Sequence, residues 1–589
     1  MEVSLMYLKQ TRQKSGKVSV SIVDGYYDKK IKNSRQTTIE NLGYLDDLQR
    51  EYEDPIAFFT KKVEEMKKQK AQHKAALVFE FSHNDRIPAD FRLRKNIGYA
   101  VLSKIYHRLG IHTFLVNRQR HTNEEYDANA IMKMLVFQRL LAPASKKKTF
   151  ENRDYLFESC DFSLDDVYRC LTFLNDRNEA LQLWLHQHVQ KQYGRDTSMV
   201  YYDVTNYHFE IDGPEGYRKL KKGDERHVPD GLRKKGVSKN HSPDPIVQMG
   251  LFMDKNGVPI SYKLFPGNTN DCLTYRPFIY QAKREFGLGR AVVVADKAMC
   301  TGDNIWYTLS AGDGYVFSMS VRGADKQTKK YVLDEEEYAW KGDDYKWKSR
   351  KEPREIHIHT ADGGKMDKMV DEKHVVFYST KYDRKAKADR ALAITKAQDL
   401  IASPGKYSRA TAYGAAGYIK NLKFDKKTGE VLDTGTALLL DMDKIREEER
   451  FDGYYMIVTS EMEESDEWII DSYRGLWRIE NSFRVIKDEF DARPIFVSTP
   501  DHIDAHFLTC FASLIIARVL ELTTARKYSI GAMLETLAKT ECTYLQQNYY
   551  LFDYTDDILD DLGTIFGIDF SKRVRGLGEI KKILASVKK

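Results

Sequence analysis

Residues 198–206 read SMVYYDVTN, residues 291–296 read AVVVAD, and the aspartates in them decide how the whole chain is read. The second stretch is apolar from Ala291 to Ala295 with no alternation, as expected of a central strand buried on both faces, and Asp296 follows it directly. The first sets Asp203 among Tyr, Val and Thr, residues that favour strands. A charged carboxylate is costly there unless something compensates it. A turn-capping role accounts for either aspartate alone, whereas a bound cation accounts for both if their strands are neighbours.

Between these stretches, IVQMGLFM (from Ile246) and ISYKLF (from Ile260) read as strands joined by the turn Asp254-Lys255-Asn256-Gly257. Pro266-Gly267-Asn268 ends the third strand, and Thr274 to Phe286 reads as a helix. Strand, strand, strand, helix, strand is the opening of an RNase H-like sheet, so the fold class expected is α/β.

Upstream, residues 1–50 alternate as a hairpin turning at Asp24-Gly25. A charged helix then runs to about Lys74, with Asp54 as N-cap and Pro55 at its first position. From Lys95 to Tyr193 the pattern is helical, and Ser163-Leu164-Asp165-Asp166 is a helix start. Downstream, residues 321–450 are charged and rich in Lys, Tyr and Trp. They mix short strands (REIHIHT, KHVVFYST) with a helix from Asp383 to Ile401. Core character resumes at YYMIVTS (Tyr454–Ser460), followed by a helix from about Glu467 to Phe490.

The expected division is therefore an N-terminal hairpin and helical region (1–195), expected to bind DNA, then core (196–320). A β-rich insertion (321–450), core again (451–525) and a C-terminal helical region (526–589) complete it.

Composition sets outer bounds. Hydrophobic residues at 42% and aromatics at 12% exclude wholesale disorder. The net charge of +6 is compatible with a polyanionic partner, and Tyr217 to His241 concentrates nine Lys or Arg against three acids. Arg233, Lys234, Lys235 and Lys239 in that stretch are candidate contacts to a nucleic-acid backbone; a solvated loop is the plain alternative. The six cysteines form no C-x-x-C pair, which argues against a zinc ribbon or a disulfide framework and fits a reducing, cytoplasmic setting. The opening MEVSLMYLKQ lacks a secretory pattern, and the apolar run Phe507–Leu522 contains Arg518 and is short for a membrane span. No membrane partner is expected.

A third acid lies in DSYRGLWRIENSFRVIKDEF, residues 471–490. At about 100° per residue, Tyr473, Trp477, Glu480, Arg484 and Lys487 share one stripe. Leu476, Ile479, Phe483, Ile486 and Phe490 form a second, apolar stripe that would seat the helix on a sheet. One carboxylate between a ring and two cations suits a metal ligand beside a phosphate backbone, though Glu480 and Arg484 also have ordinary i,i+4 salt-bridge spacing.

Together these residues resemble the DDE insertion-sequence transposases, in the branch (the insertion-sequence-four superfamily) whose acidic helix reads Tyr-x2-Arg-x3-Glu-x6-Lys. Tyr473, Glu480 and Lys487 match that spacing, while Leu476 stands at the Arg position. DVTN around Asp203, PGNTND (Pro266–Asp271), VVVADKAM and FDGYYMIVTSE are also similar to it, over roughly residues 196–525.

The resemblance implies an RNase H-like catalytic core split by a β-rich insertion. It implies DNA strand cleavage and strand transfer in cut-and-paste transposition, with two Mg²⁺ ions (or Mn²⁺) held by Asp203, Asp296 and Glu480. It further implies double-stranded DNA as partner, a homodimer on that DNA, and action at the prokaryotic nucleoid. Tyr473, Arg484 and Lys487 would contact DNA near the cut. Trp340 and Trp347 would stack on an unpaired base, with small-core packing as the alternative for each. The rival functions are a nuclease or junction resolvase on the same core, and a non-catalytic DNA-binding protein derived from a transposase.

Overall fold

Val292–Ala295 is buried at every position and lies inside a nine-stranded sheet of a computed structural model. The structure describes residues 5–588 without 14–15, 29–32, 73–78, 81, 85, 87–92, 211–230, 237–243, 361, 408–410, 413, 426–429 and 433–434. These fall into two units, Met1–Ala89 and Asp90–Lys589.

In chain order the sheet strands are β1 (Met199–His208), β2 (Ile246–Asp254), β3 (Pro259–Pro266), β4 (Val292–Ala295) and β5 (Gly314–Met319). They are followed by β6 (Ala339–Lys341), β7 (Tyr345–His359), β8 (Lys365–Ser379) and β9 (Tyr454–Thr459). The spatial order is β6-β7-β8-β9-β5-β4-β1-β2-β3. Strands β1, β4 and β5 are mutually parallel, and every other pairing is antiparallel. The β2–β3 turn forms where the sequence places it, with Gly257 at φ +81°, a conformation glycine adopts without a Cβ penalty.

The two sheet faces carry different cores. Val200, Tyr202 and Val204 face helix α1 (Asp271–Phe286) and Ile305 of helix α2 (Gly302–Ser310). Tyr201 and Tyr207 face the opposite way, into the larger core. That core is organised by helix α6 (Pro500–Thr523), which packs Phe507 on Tyr207 and Phe511 on Tyr262. Among the described residues α6 is the one helix long and apolar enough to span a membrane, and it is buried within the protein.

Several expectations need correction. Residues 99–193 do not form a module with the N-terminal hairpin: their helices belong to the larger unit, packing on α6. Asp24-Gly25 is no turn, since Val18–Asp28 is one strand that absorbs irregularity through register shifts beside it. Pro55–Gln72 is helical with Asp54 accepting from the Ala57 amide at 3.0 Å, and Ser163 with Asp166 makes a capping box, both as read.

Residues 321–450 are less a β-rich body than an extension of the same sheet plus helices. Strands β6, β7 and β8 continue it through β9, and helix α3 (Thr380–Ala402) is 23 residues long. Hydrogen bonding between β8 and β9 lets these strands join the existing ladder.

Candidate active site

Strands β1 and β4 pair in parallel, with Tyr202 opposite Ala295, so Asp203 is the next residue on β1 and Asp296 the residue that directly follows β4. Adjacent strands lie about 4.8 Å apart. The helix C-terminal to β9 supplies the third acid. It is not one uniform helix but α4 (Asp466–Arg474), a tightened turn at Gly475–Leu476, α5 (Trp477–Arg484) and a π-helical turn Val485–Glu489. The tightening shows in the bonds from Arg478 N to Gly475 O (3.1 Å) and from Ile479 N to Leu476 O (3.0 Å). A π-turn rotates the residues beyond it, so the helical wheel drawn from sequence holds for Glu480 and drifts toward Lys487.

The apolar stripe seats this segment as expected: Leu476, Ile479, Phe483, Ile486 and Phe490 are all buried. Gly475 lies so close to Tyr201 that a Cβ would enter its ring, within 2.8 Å of Cε1. Arg478 Nη1 donates to Tyr201 Oη at 3.3 Å. From the other side, Arg518 of α6 donates to Asn481 Oδ1 (2.8 Å) and Ser482 Oγ (2.7 Å). Helix α5 is thus seated between β1 and α6.

The result is a cleft of about 830 Å³ onto which Asp203, Asp296 and Glu480 all open. Asp203 and Asp296 are half-buried and Glu480 is exposed. Asp296 accepts the Ala298 amide at 2.8 Å, so it caps the turn after β4 as well as facing the cleft. Of the predicted DNA contacts, Tyr473, Arg484 and Lys487 line the cleft too. Lys487 Nζ donates to Thr205 Oγ1 at 2.5 Å and lies 5.3 Å from the Tyr207 ring centre, on the same strand face as Asp203. Burial pushes the Tyr473 hydroxyl up to about 12, with the carboxylates of Asp296 and Glu480 adding to it and Ser318 opposing.

Other predicted residues fall elsewhere. Trp340 is 55% exposed on edge strand β6 with Lys346 Nζ 5.1 Å from its ring, and Trp347 is half-buried against the main core. Neither lines the cleft. Arg233 lies over Phe209 at 5.7 Å, Lys234 pairs through its backbone with Ile246, and Lys235 is exposed. Lys239 and most of the cationic stretch lie outside the described residues.

Sequence reasoning missed the aromatic part of the lining, built by Phe377, Tyr382 and Tyr455, where Phe377 and Tyr455 stack at 5.6 Å. It also missed Thr205 and Arg493. The position two residues after Asp203 was the available signal for Thr205, since alternate strand residues share a face. Arg474, Arg484 and Arg493 line the cleft, whereas Arg478 turns to Tyr201.

The donors offered by Asp203, Asp296 and Glu480 are carboxylate oxygens, the set that hard divalent ions such as Mg²⁺ and Mn²⁺ prefer. Among the described residues no three His, Cys, Asp or Glu side chains stand close enough to hold one ion together. The donor chemistry fits such an ion, with Asp203 and Asp296 side by side and Glu480 set on the helix facing them.

Residues 233–516, just under half the chain, match the family model described as a transposase DDE domain. That span includes Asp296 and Glu480 and begins after Asp203. No curated protein matches the chain in sequence. Among solved structures, piggyBac transposase in a synaptic complex with hairpin DNA is similar at TM-score 0.33 and 7% identity, covering 83% of this chain and 84% of that one. Mos1 transposase in a paired-end complex with the left transposon end gives TM-score 0.13 and 11% identity, covering 43% and 65%.

Proposed function

We propose that the chain is a DDE transposase that cuts double-stranded DNA at the ends of an insertion element and joins those ends to a target. On this reading β1 to β5 are an RNase H-like core, residues 321–450 an insertion into it, and Asp203, Asp296 and Glu480 the holders of two Mg²⁺ or Mn²⁺ ions. The observation that carries the reading is that these carboxylates open onto one cleft together with Tyr473, Arg484 and Lys487. The match of residues 233–516 to a transposase DDE domain supports it independently.

When bound, such ions activate the attacking oxygen and stabilise the leaving one. The chain's own groups do the rest. Arg484 offers a planar fork and Lys487 a point charge to phosphate oxygens, holding the scissile strand in register. The Tyr473 hydroxyl keeps its proton at neutral pH, so it donates to a phosphate without adding negative charge. Water first releases a 3′-hydroxyl at the element's end; that hydroxyl then attacks a target phosphodiester and displaces a new 3′-hydroxyl. The exposed indole of Trp340 is available to an unpaired base, while Trp347 serves packing. Two ends must be handled together, which calls for a homodimer on DNA.

The test incubates the protein with Mg²⁺ and duplexes carrying the inverted repeats that flank its coding region. Nicked and joined products are expected from the wild type, and neither from Asp203→Ala, which still binds the duplex. Cleavage by Asp203→Ala refutes the assignment. Nicking without joining points to the nuclease reading, and binding alone to the non-catalytic one.

A further inference from the structure

Asp296 follows β4 as the N-cap of a one-turn 3-10 helix, Lys297–Met299, and its carboxylate accepts the Ala298 amide of that turn. The position of the turn itself is set by its neighbours. Asn304 of α2, 1% exposed, donates from Nδ2 to Met299 O and to Cys272 O, both at 3.1 Å. That side chain staples the Asp296 turn to the start of α1. The adjacent residue looks the other way: Asp303 Oδ1 accepts the His359 amide at 2.8 Å, and Oδ2 pairs with His359 Nδ1 at 2.9 Å.

Two further contacts join the same segment to β7. A Cβ on Gly302 would collide with the His357 carbonyl, so the α2 start lies directly on the β7 backbone. Arg354 lies beside the Cys300 thiol and is itself locked by Glu372 of β8, through Nε at 2.7 Å and Nη2 at 2.8 Å. Residues 300, 302 and 303 therefore each meet β7 within seven positions of Asp296.

We propose that the β7–β8 hairpin acts as a buttress for Asp296, with Asp303 and Asn304 as the positioning residues that transmit it. Cation affinity at the cleft then depends on contacts made by residues 345–379. This rests on the metal-binding reading given above. Groups that orient a ligand, without touching the ion, typically change metal affinity about 10–100-fold when removed.

The experiment titrates the full-length protein with Mn²⁺ and follows free Mn²⁺ by electron paramagnetic resonance, with nicking rates measured in parallel. Asp303→Ala and His359→Ala are expected to weaken Mn²⁺ binding about tenfold, with nicking at saturating Mn²⁺ within about twofold of wild type. His359→Asn, whose amide can replace the Nδ1 donor, is expected to restore wild-type affinity, which separates orientation from loss of fold. If wild type and Asp203→Ala bind Mn²⁺ alike, the metal reading fails and the buttress with it. If binding depends on Asp203 but both alanine variants bind as tightly as wild type, the buttress alone is overturned.

Discussion

Replacing Gly475 by alanine sets two effects of known sign against each other. The residue is helical, at φ −55° and ψ −16°, so propensity alone favours alanine by about 0.5–1 kcal/mol. The new methyl group, however, would sit in the Tyr201 ring. Tyr201 cannot withdraw: it is 2% exposed, with its hydroxyl 3.5 Å from Met199 Sδ and 3.3 Å from Arg478 Nη1. Overpacking of this kind costs about 1–3 kcal/mol. The net change is then a loss of up to about 2.5 kcal/mol where propensity predicts a gain.

The strain is relieved by lifting α5 from β1, which draws Glu480 away from Asp203. A displacement near 1 Å costs about 100-fold in rate where geometry governs catalysis. The assay compares thermal stability and Mg²⁺-dependent nicking of Gly475→Ala with Gly578→Ala, whose site is open and which should be neutral or slightly stabilising. Tyr201→Phe, by removing the nearest atom, should return part of the loss. A Gly475→Ala protein as stable and as active as wild type would show that α5 is not seated on Tyr201.

Two further predictions concern buried charge. Glu372 is wholly buried, which alone would raise its carboxyl, yet hydrogen bonds from His374 and Arg354 bring it down to about 2 from an ordinary 4.5. Its stabilisation is therefore present above pH 4.5 and lost as pH falls toward about 2. Denaturation profiles of Glu372→Gln should lack that acid component and lie about 3–5 kcal/mol lower at neutral pH; an unchanged acid limb counts against the network. Lys146 Nζ is buried without a hydrogen-bond partner, and burial, helped by Arg139, pushes it down to about 7 from 10.5. The unfolded chain takes up the proton first on going down in pH, so stability rises from pH 7 toward 10.5. Lys146→Met should be more stable at pH 7 and lose that alkaline rise; a less stable variant refutes the uncompensated burial.

How much is legible in the sequence depends on whether polarity and burial agree. Asp203 and Asp296 stand out because they interrupt apolar strands, and Glu480 because an apolar stripe fixes the phase of its helix. The β7–β8 hairpin reads as part of a separate insertion because its interior is built from charge. Arg354 and His374 hydrogen-bond to Glu372, while Lys346 and Lys348 bury their stems and place their ammonium groups on Glu335 and on the Asp334 and Glu336 carbonyls. Hydropathy cannot distinguish such a strand from a solvated one. The breaks in the Glu480 helix are hidden for another reason, since Gly475 is tolerated in a regular helix and the π-turn has no compositional mark. The aromatic wall escapes notice because Tyr455 is far in sequence from Phe377 and Tyr382, and meets Phe377 through strand register and Tyr382 from the start of α3.

The shared ladder between β9 and β5 has a mechanical consequence. Residues 345–379 and 454–459 are hydrogen-bonded into one slab with the strand that bears Asp203 and the strand that leads into Asp296, so that side of the cleft is an anvil without a joint. Any narrowing that brings the three acids to a common ion has to be made by the segment carrying Glu480, whose two irregular turns flank that residue on either side.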